Sequence, residues 1–170
     1  MPTPSTLRQH TLYTQAATFF FVTLFASCAW AVSPGDPAPE FDLAGKNGAV
    51  KLADLKGKTV YVDFWASWCG PCRQSFPWMN ELQAKYAAQG LNVVAINLDS
   101  RSADAQKFLA AVPHDFTIAF DPKGQTPRQY GVKGMPTSFL VGKDGKILFQ
   151  HTGFHSDKRD ELEQKIREAL

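Results

Sequence analysis

Residues 60–77 read VYVDFWASWCGPCRQSFP, an apolar run that ends in two cysteines spaced C-x-x-C. No other stretch constrains the chain so tightly. TVYVDFW (59–65) is β-branched and aromatic almost throughout, which suits a strand covered on both faces. From Cys69 onward the pattern changes. Pro71 is tolerated in a first helical turn, and Ser75, Met79, Leu82 and Tyr86 recur at helical spacing. A buried strand that feeds straight into an amphipathic helix, with two thiols at the junction, is therefore expected. Pro77 should kink that helix and Gly90 should end it.

The flanking segments extend this pattern. After the Pro-rich SPGDPAPE, read as a linker over 32–40, FDLAGKNGAVKL (41–52) forms a hairpin signal with its turn at Asn47–Gly48. LNVVAINLD (91–99) reads as a second buried strand, and SADAQKFLAAV (102–112) as a helix stopped by Pro113. HDFTIAFD suggests a short strand and QTPRQYGV a helical turn. PTSFLVGKDGKILFQHTG reads as a hairpin around Asp144–Gly145, and 157–170 as an amphipathic helix with Leu162, Ile166 and Leu170 on one face. The order implies an α/β domain over 41–170, a mixed central sheet flanked by helices, with an extra N-terminal β-hairpin. With 170 residues, 44% of them hydrophobic, the chain can bury one proper core. A net charge of +2, with no basic patch interleaved with aromatics, gives no case for a nucleic-acid partner, and a monomer is expected.

Residues 1–31 differ in kind. Arg8 is the sole charge before Asp36, and the centre AATFFFVTLFA is apolar. A basic start, an apolar stretch and the small-x-small site AWA read as a secretory signal cut after Ala31. The same run is long enough to remain as a membrane anchor, and FASC, ending at Cys28, is an imperfect lipoprotein acylation site. Each fate exports the domain, to a periplasmic or other extracytoplasmic location, either soluble or held at the inner membrane.

Export bears on the thiols. A protein outside the cytoplasm that needs a staple closes long loops with disulfides, whereas Cys69 and Cys72 close a very short one. Redox chemistry explains the pair better. A helix that starts near Cys69 places its dipole and free N–H groups beside that sulfur and favours the thiolate, the attacking species in thiol–disulfide exchange. Cys72, one turn later on the same face, is expected to be less exposed, to hold the higher pKa and to resolve the mixed disulfide. Asp63, an acid within an apolar strand, is the candidate proton acceptor, because desolvation raises a carboxyl pKa towards neutrality. Alternatively it points to a sheet edge or pairs with a lysine such as Lys58. A metallochaperone-like metal site would need two more ligands. His10, His114, His151 and His155 are scattered, and the last three read as solvated loop or rim residues, so no metal is assigned. A peroxiredoxin-type peroxidase needs Pro and Thr shortly before its reactive cysteine, and FWASWC has neither. No glycine-rich dinucleotide motif points to a bound organic cofactor, and none is expected.

These residues carry a resemblance. VDFWASWCGPC resembles the active-site segment of thioredoxins. From about Pro37 the chain is similar to the exported thioredoxin-like thiol:disulfide oxidoreductases of TlpA/ResA type, through the front hairpin with DLKGK, then FWASWCGPCR, VVAINLD and GVKGMPTSFLVGKDGKI. The resemblance implies a thioredoxin fold in which Pro136 follows a cis peptide bond and the Met135 backbone lies beside the sulfurs to pair with substrate. Trp68, Gly70 and Pro71 would complete the substrate surface, and the Gly70–Pro71 pair resembles that of the reducing thioredoxins. Trp65 is expected in the core. The chain departs from the pattern at Ser75, where members often carry Glu, and at Asp63, where many carry Asn. Implied partners are client proteins with disulfides, such as apocytochrome c, copper-site assembly proteins or oxidised exported proteins generally. A membrane thiol reductase would supply the electrons.

Overall fold

The computed structural model describes residues 32–170, so the signal, the anchor and Cys28 lie outside the described residues. Seven strands form one sheet: β1 (Asp42–Gly45), β2 (Gly48–Lys51), β3 (Thr59–Trp65), β4 (Leu91–Asn97), β5 (Thr117–Phe120), β6 (Thr137–Val141) and β7 (Ile147–Thr152). Their order is β2-β1-β5-β4-β3-β6-β7. The two apolar runs of the sequence, β3 and β4, pair in parallel near the centre, and every residue of β3 is buried. The parallel pairs β3–β4 and β4–β5 need crossovers, supplied by α1 (Gly70–Tyr86) and α2 (Ser102–Ala111). α3 (Gln125–Gln129) precedes the antiparallel β6–β7 hairpin, and α4 (Arg159–Glu168) ends the chain.

Strand alternation divides the core. Tyr61 and Trp65 of β3 face a cluster built with Phe76 and Met79 of α1, Phe108 of α2 and Leu162 and Ile166 of α4. Val60, Val62 and Phe64 face the other way, against Phe41, Leu52, Tyr130 and Phe139. A fully buried side chain of this size stabilises by roughly 1.5–3 kcal/mol. Trp65, fully buried and in edge contact with Phe76 at 4.9 Å between centroids, is therefore a structural anchor. Trp68, three residues on, is 74% exposed and contributes little to the fold.

Three local features differ from the sequence reading. The first hairpin turns on Lys46–Asn47, with Gly45 opposite Gly48, because a Cβ at Gly45 would meet Val50 Cγ2 at 2.5 Å. Its register is thus set by a close approach within the strands, one residue ahead of the Asn–Gly signal. α1 ends at Tyr86, and a tight turn over Ala87–Gln89 leads to Gly90 at φ +100°, the left-handed stop that glycine permits. The Pro-rich stretch is tied to the body. Gly35 and Ala38 donate to the carbonyls of Ile147 and Gly145 at 2.8 and 2.9 Å, Ile147 donates to Asp36 at 2.9 Å, and Tyr130 Oη donates to the Pro39 carbonyl at 2.9 Å. These bonds cover part of the β7 edge.

Candidate active site

Cys69 is the N-cap of α1, and Cys69 and Cys72 form a disulfide with Cα atoms 5.2 Å apart. The Cys72 N–H donates to Cys69 Sγ at 3.2 Å. A backbone donor at the helix start therefore points at one sulfur of the pair, the arrangement that stabilises negative charge there. Exposure separates the two sulfurs: Cys69 keeps 6% and Cys72 none. Gly70 and Pro71 are exposed in the first turn, where proline costs no hydrogen bond. Ser75 is buried and donates back to the Cys72 carbonyl at 2.9 Å.

Asp63 lies in the middle of β3 at 1% exposure, on the face that Tyr61 and Trp65 share with Cys72. It neither reaches a sheet edge nor pairs with Lys58. Ser138 Oγ donates to its Oδ1 at 2.6 Å, and its Oδ2 is buried with no partner. Burial pushes this carboxyl up to about 7, against a smaller lowering by the Ser138 hydrogen bond. Tyr61, two residues back on the same face, is also held above its ordinary value, by burial and then by the Asp63 charge.

The other expected residues surround this pair. Met135–Pro136 is a cis peptide bond immediately before β6; Pro136 is buried, and Met135 packs against the cluster that contains both cysteines. Trp68 stands in solvent next to Cys69. Two participants escaped sequence reading. Ser138 carries no motif, and its role follows from pairing opposite Asp63 in the β3–β6 ladder. Asp99, just past β4, accepts from Ser67 N–H at 2.9 Å, Ser67 Oγ at 3.0 Å and Asn97 Nδ2 at 2.8 Å, which fixes the loop that presents Trp68 and Cys69. The histidines differ from expectation as well. His155 is exposed, but His114 and His151 are half-buried, each with an unpartnered Nε2, because Phe116 packs beside one ring and β7 carries the other inward.

Residues 33–166 match the model of the Redoxin family. The chain belongs to the redoxin family. Among curated proteins, the thiol-disulfide oxidoreductase ResA of Bacillus thuringiensis subsp. konkukian is 37% identical over 136 residues, spanning 78% of this chain and 76% of its own length. Among solved structures, a candidate thiol:disulfide interchange protein DsbE from Chlorobium tepidum is 64% identical, with a TM-score of 0.81, over 82% of this chain and 99% of its own. The pneumococcal exposed lipoprotein thioredoxin of Streptococcus pneumoniae is 32% identical, with a TM-score of 0.67, over 76% of this chain and 99% of its own. Within the redoxins this chain is thus a ResA-type, thioredoxin-like thiol-disulfide oxidoreductase whose cysteine pair is Cys69–Cys72.

Proposed function

We propose that this redoxin reduces disulfides of client proteins outside the cytoplasm. The observation that carries the reading is the N-capping sulfur of Cys69, which receives the Cys72 N–H while Cys72 itself is closed to solvent. In the reduced protein, the Cys69 thiolate attacks a client disulfide, forming a mixed disulfide and expelling one client thiolate. Cys72 then passes its proton to Asp63 and attacks Cys69 Sγ. The Cys69–Cys72 disulfide closes, the second client sulfur leaves, and two electrons have moved to the client. Met135 and the cis Pro136 shape the groove in which the client strand pairs, with Trp68, Gly70 and Pro71 at its rim. A membrane thiol reductase returns the electrons.

Export is supported by the uncharged N-terminal stretch and by the likeness to an exposed lipoprotein thioredoxin. Among the described residues no helix is long and apolar enough to cross a membrane. Candidate clients are apocytochrome c and copper-site assembly proteins. The test is a Cys72→Ser variant expressed in the native compartment. It is expected to stall as mixed disulfides, and the trapped partners identify the clients. Absence of any trapped partner, with Cys69 present and reduced, would overturn the mechanism.

A further inference from the structure

Asp63 is 1% exposed and burial favours its protonated form, so a proton already on it needs a route out before it can accept another from Cys72 and the mixed disulfide can close. The sheet provides a row of side chains leading away from the disulfide. In the antiparallel ladders Asp63 of β3 lies opposite Ser138 of β6, and Ser138 lies opposite His151 of β7. Opposed residues project on one face, with Cβ atoms about 4.5–5.5 Å apart. The three side chains therefore line up on the face beneath α1 and α4. At one end Ser138 donates to Asp63 Oδ1 at 2.6 Å. At the other, His151 Nε2 is buried without a hydrogen-bond partner, while the residue borders a cavity of about 260 Å³ between β7 and α4. A buried donor or acceptor left unmatched is costly, and this row holds two, His151 Nε2 and Asp63 Oδ2.

We propose that Ser138 and His151 relay protons between Asp63 and solvent at the β7–α4 cavity. This rests on the reading of Asp63 as acceptor of the Cys72 proton. Protonated Asp63 gives its proton to Ser138 Oγ as the Ser138 hydroxyl proton passes through one bridging water to His151 Nε2. The imidazolium then releases a proton from its other nitrogen to water in the cavity. One proton enters the row, one leaves, and no electrons move. The groups that face His151 suit this use. Burial lowers its pKa, with His155 and Lys165 acting the same way and the Gly153 backbone and Glu161 opposing. Lys158 lines the same cavity, and Asp63 lies on the far side of Ser138. Near neutrality the ring is uncharged and able to accept.

The test measures how fast Cys72 closes the mixed disulfide, by quenched flow with a disulfide-bearing peptide, across pH, in the full chain and in four variants. His151→Gln should slow closure on the order of tenfold, less than the hundredfold or more of a direct acid–base group, since slower exits remain. It should lose the His151 ionisation from the pH profile while keeping that of Asp63, and added imidazole should restore the rate. Ser138→Ala should be slow, and Ser138→Thr, which keeps the hydroxyl, should match the parent; this pair carries the test should His151→Gln fail to fold. Unchanged rates in His151→Gln and Ser138→Ala would overturn the relay, as would a uniform slowing at all pH with no imidazole rescue. Asp63→Asn separates the two claims: if it closes at the parent rate, the reading of Asp63 as acceptor fails; if it is slow while the other variants are normal, only the relay fails.

Discussion

Two carboxylates are buried beside the C-x-x-C segment, one in the middle of β3 and one just past the end of β4, and their surroundings are opposite. Asp99 accepts three hydrogen bonds within 3.0 Å, two of them from Ser67 in the loop before Cys69. Asp63 accepts one, from Ser138, and its second oxygen has none. A carboxylate with matched donors acts as a clamp. One left partly unmatched in an apolar layer has its proton affinity raised and becomes a proton acceptor that works near neutrality. On the proposed reading the same side chain serves position just past the end of β4 and chemistry in the middle of β3, where Asp63 lies opposite Ala95, four residues before Asp99, and the donors around each decide which.

Several substitutions would break or sharpen that contrast. The largest effect is expected from Asp63→Asn, which should slow closure of the mixed disulfide about 100-fold or more at neutral pH, the scale of a lost general base; single-turnover kinetics check this. The same variant should alter how stability depends on pH. Asp63 binds its proton more tightly folded, with the carboxyl at about 7 against an ordinary 3.8, so the folded state holds more protons than the unfolded one between those values. Stability therefore falls as pH rises through that window, by about 1.4 kcal/mol per pH unit at most, and levels off above it. Denaturant unfolding at several pH values should show the slope in the parent and its loss in Asp63→Asn.

Asp99→Ala comes next. It strands the Ser67 N–H and the Asn97 amide, and should lower the unfolding free energy by about 2–3 kcal/mol. The closure rate should change less than in Asp63→Asn, with the shape of its pH profile kept. An Asp99→Ala variant that mimicked Asp63→Asn would erase the distinction. The smallest effect is expected from Trp68→Ala. At 74% exposure its removal should leave stability within about 0.5 kcal/mol, while KM for a peptide client rises a few-fold and kcat holds. Steady-state kinetics alongside thermal unfolding check it.

The two regions also differ in how far the sequence revealed them. β3 and the start of α1 were legible residue by residue, because a continuous apolar run, a proline in the first turn and a cysteine cap are local signals. Asp63 stood out as the sole charge in that run. Ser138 and Asp99 carried no such signal. Ser138 acquires its partner through an antiparallel register, and Asp99 through a loop that is far away in sequence, so only the assembled sheet brings the donors to the acids. His151 is the same case: its position suggested a solvated strand end, while its inward face is set by β7 alternation and α4 packing. The hairpin turn lies one residue ahead of the Asn–Gly signal, where the strands approach so closely at Gly45 that only a glycine fits, a contact between strands that no local turn signal reports.

The most direct measurement is the titration of the Asp63 carboxyl itself, by infrared difference spectroscopy between the parent and Asp63→Asn. It is best made with the Cys69–Cys72 disulfide closed, so that neither thiol titrates. A carboxylic-acid band that disappears with a midpoint near 7 is the expected result. A group that ionises near 3.8, as an ordinary aspartate does, would contradict the role of Asp63 as the proton acceptor.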